Sequence, residues 1–269
     1  MLVNLKRKVY KSVLPSRILI EPGLLFGYDK KKILSLKNKF EGERCFIVGN
    51  GPSLNKLDLG KLKDEYSFGF NGIFYKTKDD GFIPTFYMVE DTAFLNDNIQ
   101  EVNAYKANYK FFPSLYKRKV KRDNCTYFFN MNRSFYEESS EFFEFPQFSP
   151  NVAQRAFCGQ SVTMISLQFA YFMGFKEVYL IGMDFSYTIP KEDSIKGNKI
   201  TSAGDDINHF HKDYFGKGKV WHDPKLHNVL KYYKLAKTVY ENDGRSIFNA
   251  TAGGKLEVFP RLDYDTLFK

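Results

Sequence analysis

The chain has 269 residues, of which 43% are hydrophobic, 17% aromatic and 26% charged, enough apolar material for a buried core, and this excludes wholesale disorder. No run of ~18 apolar residues exists to cross a bilayer. The net charge of +9 is concentrated: residues 1–40 hold ten Lys/Arg against two acids, and the remainder is almost neutral, which argues against a nucleic-acid footprint on the folded body.

The first 40 residues read as a basic arm. Leu2, Val3, Leu5, Val9 and Tyr10 alternate with Lys6, Arg7, Lys8 and Lys11, and Pro15 and Pro22 interrupt the stretch. One reading is an amphipathic foot on an anionic membrane surface, each Lys/Arg contributing ~1 kcal/mol there. The other is a solvated extension or packing arm. A single domain is expected over 41–269. Within it, Arg44–Val48 (RCFIV), Tyr66–Phe70 (YSFGF) and Thr85–Val89 (TFYMV) read as buried strands, the kind a parallel sheet needs. The stretch 92–157, with a basic cluster at Lys117–Arg122 and an acidic patch at Glu137–Glu144, shows no clean period.

Ser161–Phe172 is apolar nearly all round and predicts a buried helix, closed by Gly174; Glu177–Ile181 predicts a strand that stops at Gly182. Residues 183–222 are polar, without a core pattern, and read as a lid or binding loop. Asp223–Glu241 is periodic, with Asp223 and Pro224 as its expected N-cap and first helical residue, and Arg245–Phe248 is a last short strand. The alternation predicts an α/β, Rossmann-like parallel sheet flanked by helices, with a polar lid. The cysteines, Cys45, Cys125 and Cys158, form neither a disulfide framework nor a zinc set, and the first residues lack a secretory pattern, so a cytoplasmic location is expected.

The glycine turn Gly49-Asn50-Gly51-Pro52-Ser53 directly after the first strand carries the sharpest local signal. Its main-chain N–H groups, at the start of a helical turn, are candidates to cradle a phosphate, although neither the Walker lysine nor the third glycine of the dinucleotide fingerprint is present. Asn71 follows the second strand, Glu90 and Asp91 the third, and Asp184 the strand ending at Gly182, all along the sheet edge where ligands bind, with Asp184 either binding a ligand hydroxyl or holding the following loop in place. All four histidines fall between His209 and His227. His209, His211 and His222 are candidates for a general base, while His227 lies inside the last helix pattern. His209 and His211 have metal-like spacing without a completing Cys or Glu. Asp263-Tyr264-Asp265 mimics a metal-binding triplet, but at the chain end and not after a central strand.

GNGPSL at 49–54, Asn71, GFKEVYLIGMDFSY at 174–187 and the late histidine loop together resemble bacterial sialyltransferases of glycosyltransferase family 42, whose fold is a GT-A variant. The ending NATAGGKLEVFPRLDYDTLF is similar to the MptE-like and Maf-like flagellin-glycosylation-associated proteins. The resemblance spans roughly 41–268. It implies that Gly49, Asn50, Gly51, Pro52, Ser53 and Asn71, with Gly159, Gln160 and Ser161, contact the cytidine monophosphate part of a CMP-sugar. Glu90 or Asp91 replaces the family's asparagine facing the sugar, and Gly159 lacks the family's preceding arginine. Tyr187, with Tyr214 as the second, would hold the leaving phosphate. The catalytic histidine would be His209, then His211, then His222.

The function expected from this is inverting transfer of a sialic-type (nonulosonic or ulosonic) sugar from a CMP-sugar to a glycan or surface-polysaccharide acceptor. A monophosphate leaving group implies no obligatory metal and no further cofactor. The alternatives are a 6-hydroxymethylpterin pyrophosphokinase using ATP and Mg²⁺ through Glu90, Asp91 and Asp184, and a non-catalytic nucleotide-binding or scaffold protein. Expected partners are the donor, the acceptor, an anionic inner membrane face met by residues 1–40 and a second copy of the chain, with no nucleic acid.

Overall fold

Seven parallel strands form the central sheet of the computed structural model, which describes residues 16–268 other than Asn198, and of Ser16 and Arg17 the backbone alone. In chain order these are β1 (Arg44–Val48), β2 (Tyr66–Phe70), β3 (Phe86–Met88), β4 (Tyr109–Pro113), β5 (Thr126–Phe129), β8 (Glu177–Ile181) and β12 (Ser246–Asn249). Their spatial order is β12-β8-β1-β2-β3-β4-β5. A short parallel pair, β6 (Met131–Asn132) and β7 (Ala156–Phe157), lies apart. So does an antiparallel trio, β9 (Ser194–Lys196), β10 (Lys199–Thr201) and β11 (Val220–His222).

Strand β1 shows why the sheet is buried on both faces. Cys45 and Ile47 enter one core and Phe46 and Val48 the other, all four fully buried. The helices, in chain order, are α1 (Ser16–Ile20), α2 (Gly23–Phe26), α3 (Lys30–Leu34), α4 (Phe74–Asp80), α5 (Thr92–Asp97), α6 (Ile99–Ala104), α7 (Val162–Met173) and α8 (Leu226–Asn242). Residues of α7 and α8 fill the first core, and residues of α4, α5 and α6 the second. Beyond β1 the chain adds β2, β3, β4 and β5 on one side, then crosses back to add β8 and β12 on the other. The gap beyond the carboxyl ends of β1 and β8 is therefore the topological switch point.

Local chemistry explains α7 well. Ser161 Oγ accepts the Thr163 N–H at 3.3 Å, and Gly174 closes the helix at φ 95°. The helix expected from Asp223 begins only at Leu226. The Asp223 carboxylate takes the Lys225 N–H at 3.0 Å and Lys225 turns left-handed at φ 42°, so Asp223 and Pro224 form a turn before the helix instead of its cap. The unassigned 92–157 supplies α5, α6, β4 and β5. Residues 183–222 carry β9, β10 and β11 and bury Ile200, Phe210, Tyr214 and Trp221.

The expected arm is partly body. From Glu21 to Phe40 the chain packs on the domain and buries Glu21, Ile33, Leu36 and Phe40. The proposed apolar and basic alternation from Leu2 to Lys11 lies outside the described residues. Among the described residues no helix is long and apolar enough to cross a membrane.

Candidate active site

At the switch point the turns after β1 and β8 meet. Gly49 N–H donates to Ile181 O at 2.7 Å and Gly51 N–H to Gly182 O at 2.9 Å. The approach needs glycine, since a Cβ on Gly49 would lie 2.5 Å from the Gly182 carbonyl oxygen. A short 3₁₀ turn, Pro52–Lys56, follows. Its entry is filled from within: Asp184 accepts the Ser53 N–H at 3.3 Å and the Ser53 hydroxyl at 2.6 Å. The amide cradle expected over 49–53 is thus a different object. Three of its N–H groups are committed to the end of β8 and the turn after it, Pro52 has none, and Asp184 holds the motif together.

A cleft of about 670 Å³ opens beside this junction. Gly49, Asn50, Gly51, Asn71, Glu90, Asp91, Gln160, Ser161, Asp184, Tyr187, His209, Tyr214 and His222 line it. Pro52, Ser53, Gly159 and His211 do not. The carbonyl of Gly159 is instead taken by the Tyr136 hydroxyl. His211 stacks on Tyr75 at 4.1 Å and accepts the Asp213 N–H, off the cleft wall. His227, in α8, is exposed and off the wall as well. Asp265 pairs with Lys61 at 2.7 Å, which ties the chain end down away from the cleft.

Two asparagines form the floor. Asn50 Nδ2 donates to the Tyr214 hydroxyl at 2.9 Å, and Asn71 sits in the left-handed region at φ 43°. The Oδ1 of each is buried with no hydrogen-bond partner among the described residues, a cost of ~1–3 kcal/mol that a donor from a ligand would offset. The Tyr214 hydroxyl also lies 3.4 Å from the Gly72 N–H, and burial pushes its pKa far up, so this tyrosine is part of the framework.

His209 stands on that framework. Its ring stacks on Tyr214 at 4.2 Å and 3°, and meets Tyr187 edge-on at 5.9 Å. The next residue is pinned to the glycine turn: Phe210 N–H donates to Asn50 O at 2.9 Å, and Asn55 Nδ2 donates to Phe210 O at 2.8 Å. His209 Nδ1 lies 2.8 Å from Asp206 Oδ2. With Asp206 accepting the Nδ1 proton, Nε2 is the nitrogen able to take one. Burial pushes the Asp206 carboxyl up, but His209 and the Asn208 and Phe215 N–H groups outweigh it and hold the carboxyl below its ordinary range. A charged carboxylate is therefore always present to orient the imidazole at neutral pH.

The cleft lining also carries acids. Asp91 caps α5 by accepting the Phe94 N–H at 2.8 Å, and its Oδ2 lies 4.0 Å from His222 Nδ1. Burial, then the Asp91 charge, pushes the Glu90 pKa up to about 8, against the pull of Arg133. At the mouth, Tyr187 is 40% exposed as a residue, yet burial of its hydroxyl and the Asp206 and Asp184 carboxylates push it up to about 12, so it remains a donor. Its ring packs on Trp221 at 6.2 Å. Sequence reasoning missed Asp206, Arg133, Trp221 and Lys225, all near or on the cleft wall. The Asp-x-x-His spacing of 206–209 is the one local signal that could have found Asp206. Among the described residues no group of three or more His, Cys, Asp or Glu is placed to hold a metal ion.

A family model described as "6-hydroxymethylpterin diphosphokinase MptE-like" matches residues 25–190, well over half of the chain. The chain belongs to the MptE-like family. The matched span of this MptE-like chain runs through β1–β8, the glycine turn, Glu90–Asp91 and Asp184–Tyr187, and ends before the His209 loop. Among solved structures, it is similar to the MAf glycosyltransferase from Magnetospirillum magneticum AMB-1, with 18% identity and a TM-score of 0.45. That match covers 88% of this chain and 38% of the other, so the chain spans well under half of that protein's length. No curated protein matches the sequence.

Proposed function

We propose that this MptE-like chain is an inverting glycosyltransferase whose donor is a sugar activated by a nucleotide, in its narrower form a CMP-activated nonulosonic or ulosonic acid. The support is the His209–Asp206 pair, held against the glycine turn through Phe210 and open to the cleft. In this reading His209 Nε2 takes the proton of an acceptor hydroxyl. The hydroxyl oxygen attacks the anomeric carbon, the bond from that carbon to the phosphate oxygen breaks, and the nucleotide leaves with the electron pair. Tyr187, protonated across the neutral range, can donate to the departing phosphate. Asn50 and Asn71 offer amides to the base or sugar. The choice of CMP rests on the resemblance of GNGPSL and GMDFSY to the sialyltransferases. A monophosphate leaves with less charge than a diphosphate, so the reading asks for no obligatory metal.

His209→Ala should lower turnover ~10²–10⁴-fold with donor KM changed little. Asp206→Asn should lose a smaller part of the same effect by releasing the tautomer. Wild-type turnover in His209→Ala would refute the base. Titration with CMP, CDP, UDP, GDP and ATP, with and without Mg²⁺, tests the donor. CMP should bind without Mg²⁺.

The family's description favours a second reading, an ATP- and Mg²⁺-dependent pterin diphosphokinase. Its candidate ligands are Glu90, Asp91 and Asp184, of which Asp184 accepts from the Ser53 hydroxyl and Asp91 caps α5 in this structure. Mg²⁺-dependent ATP binding in the same titration would establish this reading over the first. Binding of no nucleotide at all would leave the scaffold reading.

A further inference from the structure

Three large apolar side chains stand out in water next to one another: Leu24 at 46%, Leu25 at 56% and Phe26 at 39% exposure. They form the one-turn helix α2, which is not a frayed end. Its Gly23 is pressed onto Asn130 so closely that a Cβ there would lie 2.2 Å from the amide oxygen. Just before it, Glu21 is buried, pairs with Arg155 at 2.9 Å and accepts Asn132 Nδ2 at 3.1 Å. The Ile20 carbonyl accepts the Arg133 N–H at 2.7 Å. The turn is seated firmly from beneath, and its leucines and phenylalanine protrude.

The fold brings cations from two distant stretches of chain beside them. Lys117 Nζ donates to the Phe26 carbonyl at 3.2 Å, Arg122 holds Asp29 with two contacts at 2.8 and 3.0 Å, and Lys32 reaches the carbonyls of Asn124 and Thr126 at 2.7 and 2.9 Å. Residues 24–32 and 114–124 together carry eight Lys/Arg and two Asp. Lys30, Lys31, Arg118 and Lys121 are exposed. Each stretch is basic in the sequence, but about ninety residues separate them, and only the fold brings them together.

We propose that Leu24, Leu25 and Phe26, with the cations of 30–32 and 117–122 beside them, dock this protein on an anionic lipid surface. Charge selects the partner: exposed apolar side chains suit a fluid interface into which they can insert, and the cations of the two adjoining stretches match anionic headgroups. The segment preceding α2 is tied to Arg133, on the cleft wall, by one main-chain hydrogen bond, so docking holds the substrate cleft close to that surface. This inference does not depend on the identity of the donor.

Co-sedimentation of the full chain with phosphatidylcholine vesicles, with and without phosphatidylglycerol and at low and high salt, tests it. The wild type should bind the anionic vesicles alone and release at high salt. The triple variant L24S/L25S/F26S should bind ~10-fold or more weakly, and R118E/K121E should lose most of the anionic preference. Circular dichroism checks that each remains folded, and L25S alone, at the most exposed site, keeps the test intact if the triple variant does not. Absence of binding to anionic vesicles overturns the proposal. Wild-type binding by the variants also overturns it, because the contact would then belong to residues 1–15. Binding to an acidic polypeptide such as polyglutamate with no binding to vesicles would reassign the face to a protein partner and equally overturn it.

Discussion

Asp206 and Glu90 show how two carboxyl groups beside one cleft are set apart. Asp206, kept charged by its four N–H donors, fixes the imidazole, while Glu90 lacks such donors and is pushed up to about 8 by burial and by Asp91. A carboxyl raised above its ordinary value of 4.5 lowers stability as it ionises. The penalty is absent below about 4.5, accumulates as pH rises towards about 8 and is constant above that. Glu90→Gln removes it. The variant should gain stability over the wild type at pH 8–9 by at most a few kcal/mol, ~1–4, and little at pH 4–5. Urea unfolding at both pH values checks this, and an equal difference at the two would contradict the buried-acid reading. Much of this was legible in the residues: Asn50, Asn71, Glu90, Asp91 and His209 follow strands or sit in the single histidine-rich loop, and they converge. Asp206 and Arg133 were not, because an acid in a polar loop and an arginine in an unpatterned stretch carry no local mark of what they will face. Ser53 misled for a physical reason. A helical-turn N-terminus attracts any anion, and here the protein supplies its own in Asp184.

At the level of elements, continuous apolar runs made β1, β2 and β8 readable, since a parallel strand buried on both faces has no polar alternation to confuse it. Strand β4 hid because it carries Lys110, buried in the sheet and paired with Asp123. Strand β5 is only four residues of Thr and aromatics. The α8 start was misplaced because Asp-Pro suits a turn as well as a cap, and Lys225 chose the turn. The α7 end was placed correctly for a reason that can be tested. Gly174 lies at φ 95°, and a Cβ there would come 2.9 Å from the Glu41 Cα. Gly174→Ala should therefore destabilise the protein by ~1–3 kcal/mol, read as a lower urea midpoint with unchanged slope. An unchanged midpoint would mean that the α7–β8 corner relaxes freely.

Across the whole molecule, strand order does most of the functional work. The chain's switch from adding strands on one side of β1 to adding them on the other, at the parallel pair β1 and β8, opens the crevice, and the glycine turns after these strands cross-link its base. The 183–222 segment then folds over it. That segment looked like a bare lid in the sequence because its core contacts come from scattered single residues, Ile200, Phe210, Tyr214 and Trp221, and not from a periodic run. Its docking on Asn50 and Asn55 makes the imidazole and the glycine turn parts of one site. The most direct test of that site is a crystal structure of the protein with CMP bound. The cytidylate should lie in the cleft between Asn50, Asn71 and Tyr187, with His209 Nε2 facing the phosphate side. Ordered CMP elsewhere on the molecule, or an empty cleft at saturating CMP, would contradict it.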